Sequence, residues 1–443
     1  DLSFSKSLMR TPDFTGIPNL EYLFLKECRN LEEVHHTLGC CSKLIQLYLN
    51  NCERLKRFPC INVESLQYLN LENCSSLEKF PEIHGIRELP SSYFQYQTHI
   101  TKLDLRYMVN LVALPSSICR LKSLVNLNLY GCSKLERLPE VIGDLDNLEV
   151  LYAGWTRISR PPSSIVRLNK LKILSFRCSG DDGVHFEFPP VAEGLQSLEN
   201  LNLGYCNLID GGLPEDISSL SSLKSLYLNG NNFEHLPRSI AQLGALRSLD
   251  LSYCTRLTQL PELPLELNEL HVDCHIALKL IHDLVTKRKK QHIVIFKPQY
   301  YKDNAHKDTI YNMFANALFQ NISSLRHDIS ASDSLSQNVF TIQTYPYDKF
   351  PSWFLYQGRD SSVSVNLPEN WYIPDIFLGF AVCYSGRLVD ITAQLIPECD
   401  GGMSCMTQKL ALSESSDNSD RYTPTHFLLV PLAVLWDTSK AKR

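Results

Sequence analysis

The chain has 443 residues, 44% of them apolar and 21% charged, with a formal charge of −5 at neutral pH. That balance suits a soluble globular protein with room for two or three domains, and it gives no electrostatic case for nucleic acid or an anionic membrane as the main partner. No apolar run approaches the roughly 18 residues that a membrane-spanning helix needs.

The chain opens in mid-pattern, as a fragment would, with Leu2-Ser3-Phe4 reading as the remnant of a strand. Further strand starts are expected at Leu20, Leu44, Leu66, Ile100, Leu124, Leu148, Leu171, Leu198, Leu223, Leu246 and Leu267. The unit is clearest from Leu124 to Asn147: L-x-x-L-x-L-x-x-C-x-x-L-x-x-L-P-x-x-I, a period of about 24 residues, within the leucine-rich-repeat range. Leu124, Leu127 and Leu129 give a short strand its apolar face, and Leu138-Pro139 ends the pairing because proline has no amide hydrogen. Burying the seven large apolar side chains of one turn yields on the order of 10–20 kcal/mol. Ordering its ~24 residues costs about 1–2 kcal/mol each. One turn cannot stand alone, so the turns must stack, and any function here belongs to a long surface. The longest interval, between Leu66 and Ile100, holds Ile86-Arg87-Glu88-Leu89-Pro90, a degenerate repeat, and Ser179–Gly183 reads as an inserted loop.

Six of the fifteen cysteines, Cys28, Cys52, Cys74, Cys132, Cys206 and Cys254, each fall three residues after the last apolar residue of a strand. Stacking would align them in a ladder, each thiol meeting a neighbouring backbone carbonyl. That arrangement needs reduced thiols and a reducing compartment, the cytoplasm. A secreted disulfide framework is the competing reading. The scarcity of glycosylation acceptors, Asn321-Ile322-Ser323 among them, argues against it.

Residues between the leucines should face outward on a concave sheet. That column reads Phe24, Tyr48, Asn70, Asp104, Asn128, Tyr152, Ser175, Asn202, Tyr227, Asp250 and His271. Just beyond the strands come Tyr107, Tyr130, Trp155, Arg177, Tyr205 and Tyr253. Tyrosine, tryptophan and arginine dominate protein–protein hot spots, which makes this face a candidate partner surface. The plainer reading is that each tyrosine shields the sheet edge beside the cysteine ladder.

After His275 the period stops. Ala277, Leu280, Ile281, Leu284 and Val285 have helical spacing, and Lys287-Arg288-Lys289-Lys290 would close that helix favourably or serve as a nuclear address. A second amphipathic helix is expected near Ile310, Met313, Phe314, Ala317 and Leu318. Beyond about Phe340 strands are expected, among them Ser361–Pro368, Phe377–Tyr384 and His426–Leu432.

The repeat with cysteine rather than asparagine at its corner resembles that of plant intracellular immune receptors of the Toll/interleukin-1-receptor, nucleotide-binding, leucine-rich-repeat class. The tail segments Phe350-Pro351-Ser352-Trp353-Phe354, Ser361-Ser362-Val363, Leu367-Pro368-Glu369-Asn370-Trp371-Tyr372 and Phe377–Cys383 resemble the jelly-roll, immunoglobulin-like domain that follows those repeats. Tyr347 and Asp360 stand where that pattern has glycines. The resemblance implies an α/β leucine-rich-repeat solenoid over 1–274 and a mainly-β jelly-roll sandwich with flanking helices over 275–443. It implies effector recognition and autoinhibition: the concave face, with Tyr107, Tyr130, Tyr152, Trp155, Arg177, Tyr205, Tyr227 and Tyr253, and the sandwich, with Trp353 and Trp371, would bind a pathogen effector such as a viral protein. Contacts with the receptor's nucleotide-binding and signalling domains would hold it off. The alternative is a clamp that senses the pathogen through a host protein.

No phosphate-binding G-x-x-x-x-G-K-[ST], H-E-x-x-H or G-x-S-x-G occurs in the chain. No enzyme activity, cofactor or metal is expected, since the family's NAD-cleaving and nucleotide-binding domains are absent. His271-Val272-Asp273-Cys274-His275 lacks an evident fourth zinc ligand, and Cys399 with Cys405 only flanks a turn.

Overall fold

The computed structural model describes residues 1–62, 64–80, 99–177, 183–192 and 194–273, together with the backbone of strands at 83–84 and between 292 and 431. The chain divides into two compact units, one of Asp1–Arg247 with Thr255–Glu266, the other of Ser248–Cys254 with Leu267–Arg443.

In the first unit each turn contributes a three-residue strand: β1 (Tyr22–Phe24), β2 (Gln46–Tyr48), β4 (Tyr68–Asn70), β6 (Lys102–Asp104), β7 (Asn126–Asn128), β8 (Val150–Tyr152), β9 (Ile173–Ser175), β10 (Asn200–Asn202) and β11 (Ser225–Tyr227). They pair in that order, all parallel, and the register sets Leu23, Leu47, Leu69, Leu103, Leu127, Leu151, Leu174, Leu201 and Leu226 side by side. Each of these leucines is buried, while the residues on either side point out. Two short strands, β3 (Ile61–Asn62) and β5 (Ile83–His84), pair separately. The strand expected at Leu2-Ser3-Phe4 is not formed: Phe4, with φ of 63°, is already a corner residue, and the amides of Leu2 and Phe4 donate to the carbonyls of Phe24 and Lys26 as those of Leu25 and Glu27 do to Tyr48 and Asn50 one turn later.

The ladder starts later than the leucine pattern suggests. The first leucine of the template belongs to the preceding turn: Leu124 N–H donates to the Leu121 carbonyl at 2.9 Å and Leu148 N–H to Leu145 at 2.9 Å. These side chains are buried, but their amides are spent before the sheet begins.

The L-P-x-x-I return has a specific structural meaning. Pro115, Pro162, Pro214 and Pro237 sit at the N-cap of 3₁₀ turns over Ser116–Arg120, Ser163–Arg167, Glu215–Ser219 and Arg238–Gln242, with φ of −70°, −63°, −71° and −60°. Proline is fixed near that φ, and its carbonyl accepts the amide of the isoleucine three residues on, as Ile118 N–H does at 3.1 Å and Ile165 N–H at 3.0 Å. The isoleucine then drops into the core, fully buried at Ile118, Ile165, Ile217 and Ile240.

The second unit contains β12 (Ser248–Asp250), β13 (Glu269–Asp273), β14 (His292–Phe296), β15 (Val339–Thr344), β16 (Gly379–Ser385), β17 (Ile391–Leu395), β18 (Met406–Leu410) and β19 (Thr423–Pro431). Strands β12 to β15 pair parallel in sequence, β19 joins β15 and β16 antiparallel, and β17 pairs with β18. The strands expected at Phe377–Tyr384 and His426–Leu432 are present as β16 and β19, each shifted slightly. Strand β14 follows the basic run and is not among the expected strands, although Ile293-Val294-Ile295-Phe296 is an apolar run rich in β-branched residues. The expected helices, Ser361–Pro368, the degenerate repeat at 86–90 and the inserted loop up to 182 lie outside the described residues.

Candidate functional site

Two columns of side chains run across the open face of the sheet, and a third lies at the corner where each turn leaves it. The corner is built by a left-handed residue: Glu27, Asn51, Asn73, Tyr107, Gly131, Trp155, Tyr205 and Gly230 have φ between 57° and 78°, as does Tyr253 of the second unit at 61°. This conformation lets the corner amide keep pairing with the next turn, Tyr107 N–H to the Tyr130 carbonyl at 2.8 Å and Trp155 N–H to Arg177 at 2.6 Å. Glycine and asparagine accept it readily, whereas a tyrosine or tryptophan there costs roughly 1 kcal/mol.

This divides the candidate residues. Tyr107, Trp155, Tyr205 and Tyr253 occupy the left-handed corner itself, while Tyr130 and Arg177 stand one residue earlier. Tyr107 and Tyr205 each lie over the glycine at the next corner: a Cβ built on Gly131 would come within 2.5 Å of Tyr107 Cδ1, and one on Gly230 within 2.4 Å of Tyr205 Cδ1. Tyr130 covers Gly154 in the same way, at 3.2 Å, and packs edge-to-face on Tyr107 with ring centroids 5.6 Å apart. These rings therefore shield the backbone as the plainer reading holds, yet Tyr107 remains 43% and Trp155 47% exposed, enough for a partner to cover. Tyr152 and Tyr227 are half-buried on the outward column, at the ends of β8 and β11. Trp353 and Trp371 lie outside the described residues.

The polar members of the outward column have a structural duty that the sequence did not reveal. Asn70, Asp104, Asn128 and Asn202 each accept, through a side-chain oxygen, the backbone amide two residues on, at 2.8–3.2 Å. Asp250 does the same for Ser252 in the second unit, and burial pushes its carboxyl upward while His271 beside it works the other way. Nearest the start of the chain the face is aromatic instead. Phe24 stacks on Tyr48 at 5.2 Å, Tyr48 meets Tyr68 at 4.9 Å, and Lys26 Nζ sits 4.2 Å from the Tyr48 ring centroid. Tyr68 completes this wall from the first position of its strand, a position the outward-column reading passed over, and Tyr22 stands exposed at the same position of β1. The period-two alternation of each strand is the signal that could have found them.

Behind the corner runs the thiol ladder, as expected from the spacing. Sγ of Cys28, Cys52, Cys74, Cys132 and Cys206 lies 3.1–3.3 Å from the carbonyls of Leu2, Leu25, Leu49, Leu105 and Phe176, each on the preceding turn. No disulfide joins the described cysteines. Where the column changes residue, Thr156 turns its hydroxyl to the Ala153 carbonyl, and Asn231 makes three bonds, described below. Burial pushes the thiols of Cys52 and Cys132 up to about 12 from 9.0. Below pH 9 both folded and unfolded chains keep these protons and nothing changes. Between pH 9 and 12 only the unfolded chain releases them, so stability should fall with rising pH by about 1.4 kcal/mol per unit for each such thiol. Denaturant titrations at pH 8, 9 and 10 check this, and a flat profile would contradict it. At neutral pH, alkylation mapped by mass spectrometry should label exposed Cys40 and spare Cys52, Cys74 and Cys132.

Among the described residues no group of three or more histidine, cysteine or acidic side chains is placed to hold a metal ion. His271 instead meets Glu269 Oε1 at 2.8 Å through Nε2. No described helix is long and apolar enough to cross a membrane.

Stacked parallel strands, 3₁₀ returns and a cysteine ladder define a leucine-rich-repeat scaffold. A model of the C-JID domain matches residues 345–443, and a leucine-rich-repeat model matches residues 196–257. TMV resistance protein N of Nicotiana glutinosa is 70% identical over 100% of this chain, which spans 39% of that relative. Disease resistance-like protein DSC1 of Arabidopsis thaliana is 34% identical over 86% of this chain and 32% of its own length. The chain belongs to the Toll/interleukin-1-receptor, nucleotide-binding, leucine-rich-repeat disease-resistance proteins, as a homologue of the leucine-rich-repeat and C-JID regions of TMV resistance protein N. It spans well under half the length of either relative.

Proposed function

We propose that this chain is the recognition and autoinhibitory region of a plant intracellular immune receptor, and that its repeat face and C-JID jelly-roll together bind a pathogen protein. The observation that carries the reading is the exposed corner ridge of Tyr107 and Trp155: bulky aromatic rings held in left-handed backbone where asparagine or glycine serves other turns at lower cost. The name of the relative that is 70% identical makes tobacco mosaic virus the trigger to test first. The buried thiols, which work only when reduced, support a cytoplasmic location. In this reading the chain provides binding and restraint, and the chemistry of signalling belongs to other domains of the receptor.

The test is a full-length receptor carrying this chain, expressed in leaf tissue and challenged with the virus. Changing Trp155, Tyr152 and Tyr227 together to alanine is expected to abolish the cell-death response at unchanged protein level. These rings are chosen because none covers a glycine, so the fold should survive their loss. An undiminished response would remove the repeat face from the proposal, and a swap of residues 275–443 with a relative's tail asks the same of the C-JID region.

A further inference from the structure

From β7 to β11 the open face is almost without charge. Its outward strand positions are Asn126, Asn128, Val150, Tyr152, Ile173, Ser175, Asn200, Asn202, Ser225 and Tyr227. Two residues beyond each strand stand Tyr130, Gly154, Arg177, Gly204 and Asn229, so Arg177 is the one ion among these positions. Charges do occur just before the strands, but they neutralise one another across neighbouring turns, Lys172 with Glu149 at 2.8 Å and Lys224 with Glu199 at 2.9 Å.

The same column contains a second arginine that makes the contrast. Arg106 is consumed: its guanidinium holds both oxygens of Asp104 at 2.9–3.1 Å and Glu72 Oε2 at 2.9 Å. Arg177 is exposed, and no carboxylate among the described residues lies within ion-pair distance of it. Its guanidinium lies over the Tyr205 ring, 5.2 Å from the centroid. The ring contact anchors the guanidinium, and a guanidinium with no carboxylate partner among the described residues is the group that receives a carboxylate through two parallel hydrogen bonds. On the neighbouring turn the backbone N–H of Trp155 donates to the Arg177 carbonyl at 2.6 Å, and its indole is exposed.

We propose that the β7–β11 face accepts an extended polypeptide segment that is uncharged except for one aspartate or glutamate, whose carboxylate docks on Arg177. The argument for this occupant is charge complementarity. One cation with no carboxylate partner among the described residues, on a neutral, amide-rich and aromatic face, rewards one negative charge and leaves any further charge in the segment without a counterpart. This deepens the recognition reading above and rests on it.

The test uses the purified chain and arrays of capped decapeptides whose central residue is fixed as Glu, Gln, Lys or phosphoserine while the others vary over uncharged types. Glu pools should bind about fivefold better than Gln pools, and Lys pools worst, as an exposed charge-assisted contact predicts. Arg177→Gln should bring the Glu/Gln ratio to about one, and Tyr205→Leu, which removes the stacking, should lower it partway. Arg167→Gln, on the return side, should leave it unchanged. A Glu/Gln ratio of one for the unaltered chain, or a preference that survives Arg177→Gln, overturns the proposal. Phosphoserine pools that bind severalfold better than Glu overturn the carboxylate in favour of phosphate. A flat array together with loss of cell death in the aromatic variants would end this inference and leave the receptor reading standing.

Discussion

Replacing Gly143 by alanine is expected to be among the most damaging single changes in the repeats, lowering stability by about 3 kcal/mol or more. The reason is backbone, not side chain. A Cβ on Gly143 would stand 2.0 Å from the Ser164 carbonyl oxygen on the next turn, with the carbonyl carbon at 2.9 Å. Nothing there can rotate away, so two stacked turns must separate. Gly194 faces the Val166 carbonyl in the same manner at 2.2 Å. By contrast, Gly16 and Gly244 have nothing within 4 Å of a built Cβ, and alanine at either should change stability by no more than about 0.5 kcal/mol. Urea midpoints of the four variants check the ranking. If Gly143→Ala unfolds at the same midpoint as Gly244→Ala, the turns are not packed as closely as the distances say.

The second large effect is expected at Asn231, the asparagine that interrupts the thiol ladder. It is fully buried, and its amide group holds three backbone groups at once. Oδ1 accepts from Leu208 N–H at 3.0 Å, and Nδ2 donates to the Leu203 carbonyl at 2.9 Å and the Leu228 carbonyl at 2.7 Å. Asn231→Ala strands all three in a dry interior, an expected loss of about 3 kcal/mol. Cys132→Ala, which removes one thiol bond to Leu105, should cost only about 1 kcal/mol beyond the small cavity it leaves. Because turns of a solenoid contact only their neighbours, the damage should be local. Hydrogen exchange at the Leu208 amide should accelerate far more than at the amide of Leu129, several turns away. Uniform acceleration would instead mean that the stack opens as one body.

Much of this architecture could be read from residue spacing. A leucine every turn at a fixed phase admits one economical packing, so the parallel register of Leu127 on Leu151 and the burial of Ile118, Ile165 and Ile217 follow from the template. The cysteine ladder was legible for the same reason: identical residues at identical phase must stack. The spacing overstated strand length, since it marks which side chains are buried and is silent on which amides reach the next strand. Leu124 satisfies the first condition and fails the second.

The outward face was legible as residue types and not as roles. Tyr107, Tyr130, Trp155, Arg177 and Tyr205 looked like one set of exposed contacts, and backbone conformation separates them into left-handed corners and the residues before them. Nor could the sequence say that Asn128 is occupied by its own backbone, or that Tyr68 completes an aromatic wall with Tyr48. Such facts depend on what lies one turn away.

What the sequence by itself determined is the repeat: its period, its inward leucines, its ladder of cysteines and, through the tail motifs, the class of resistance protein to which the chain belongs. What only the tertiary structure decided is which charges remain open. Arg106 and Arg177 occupy the same place in their turns and are identical as letters. One is closed by Asp104 of its own turn and by Glu72 of the preceding turn, and the other lies over the Tyr205 ring, because a side chain's partners in a solenoid come largely from neighbouring turns more than twenty residues away.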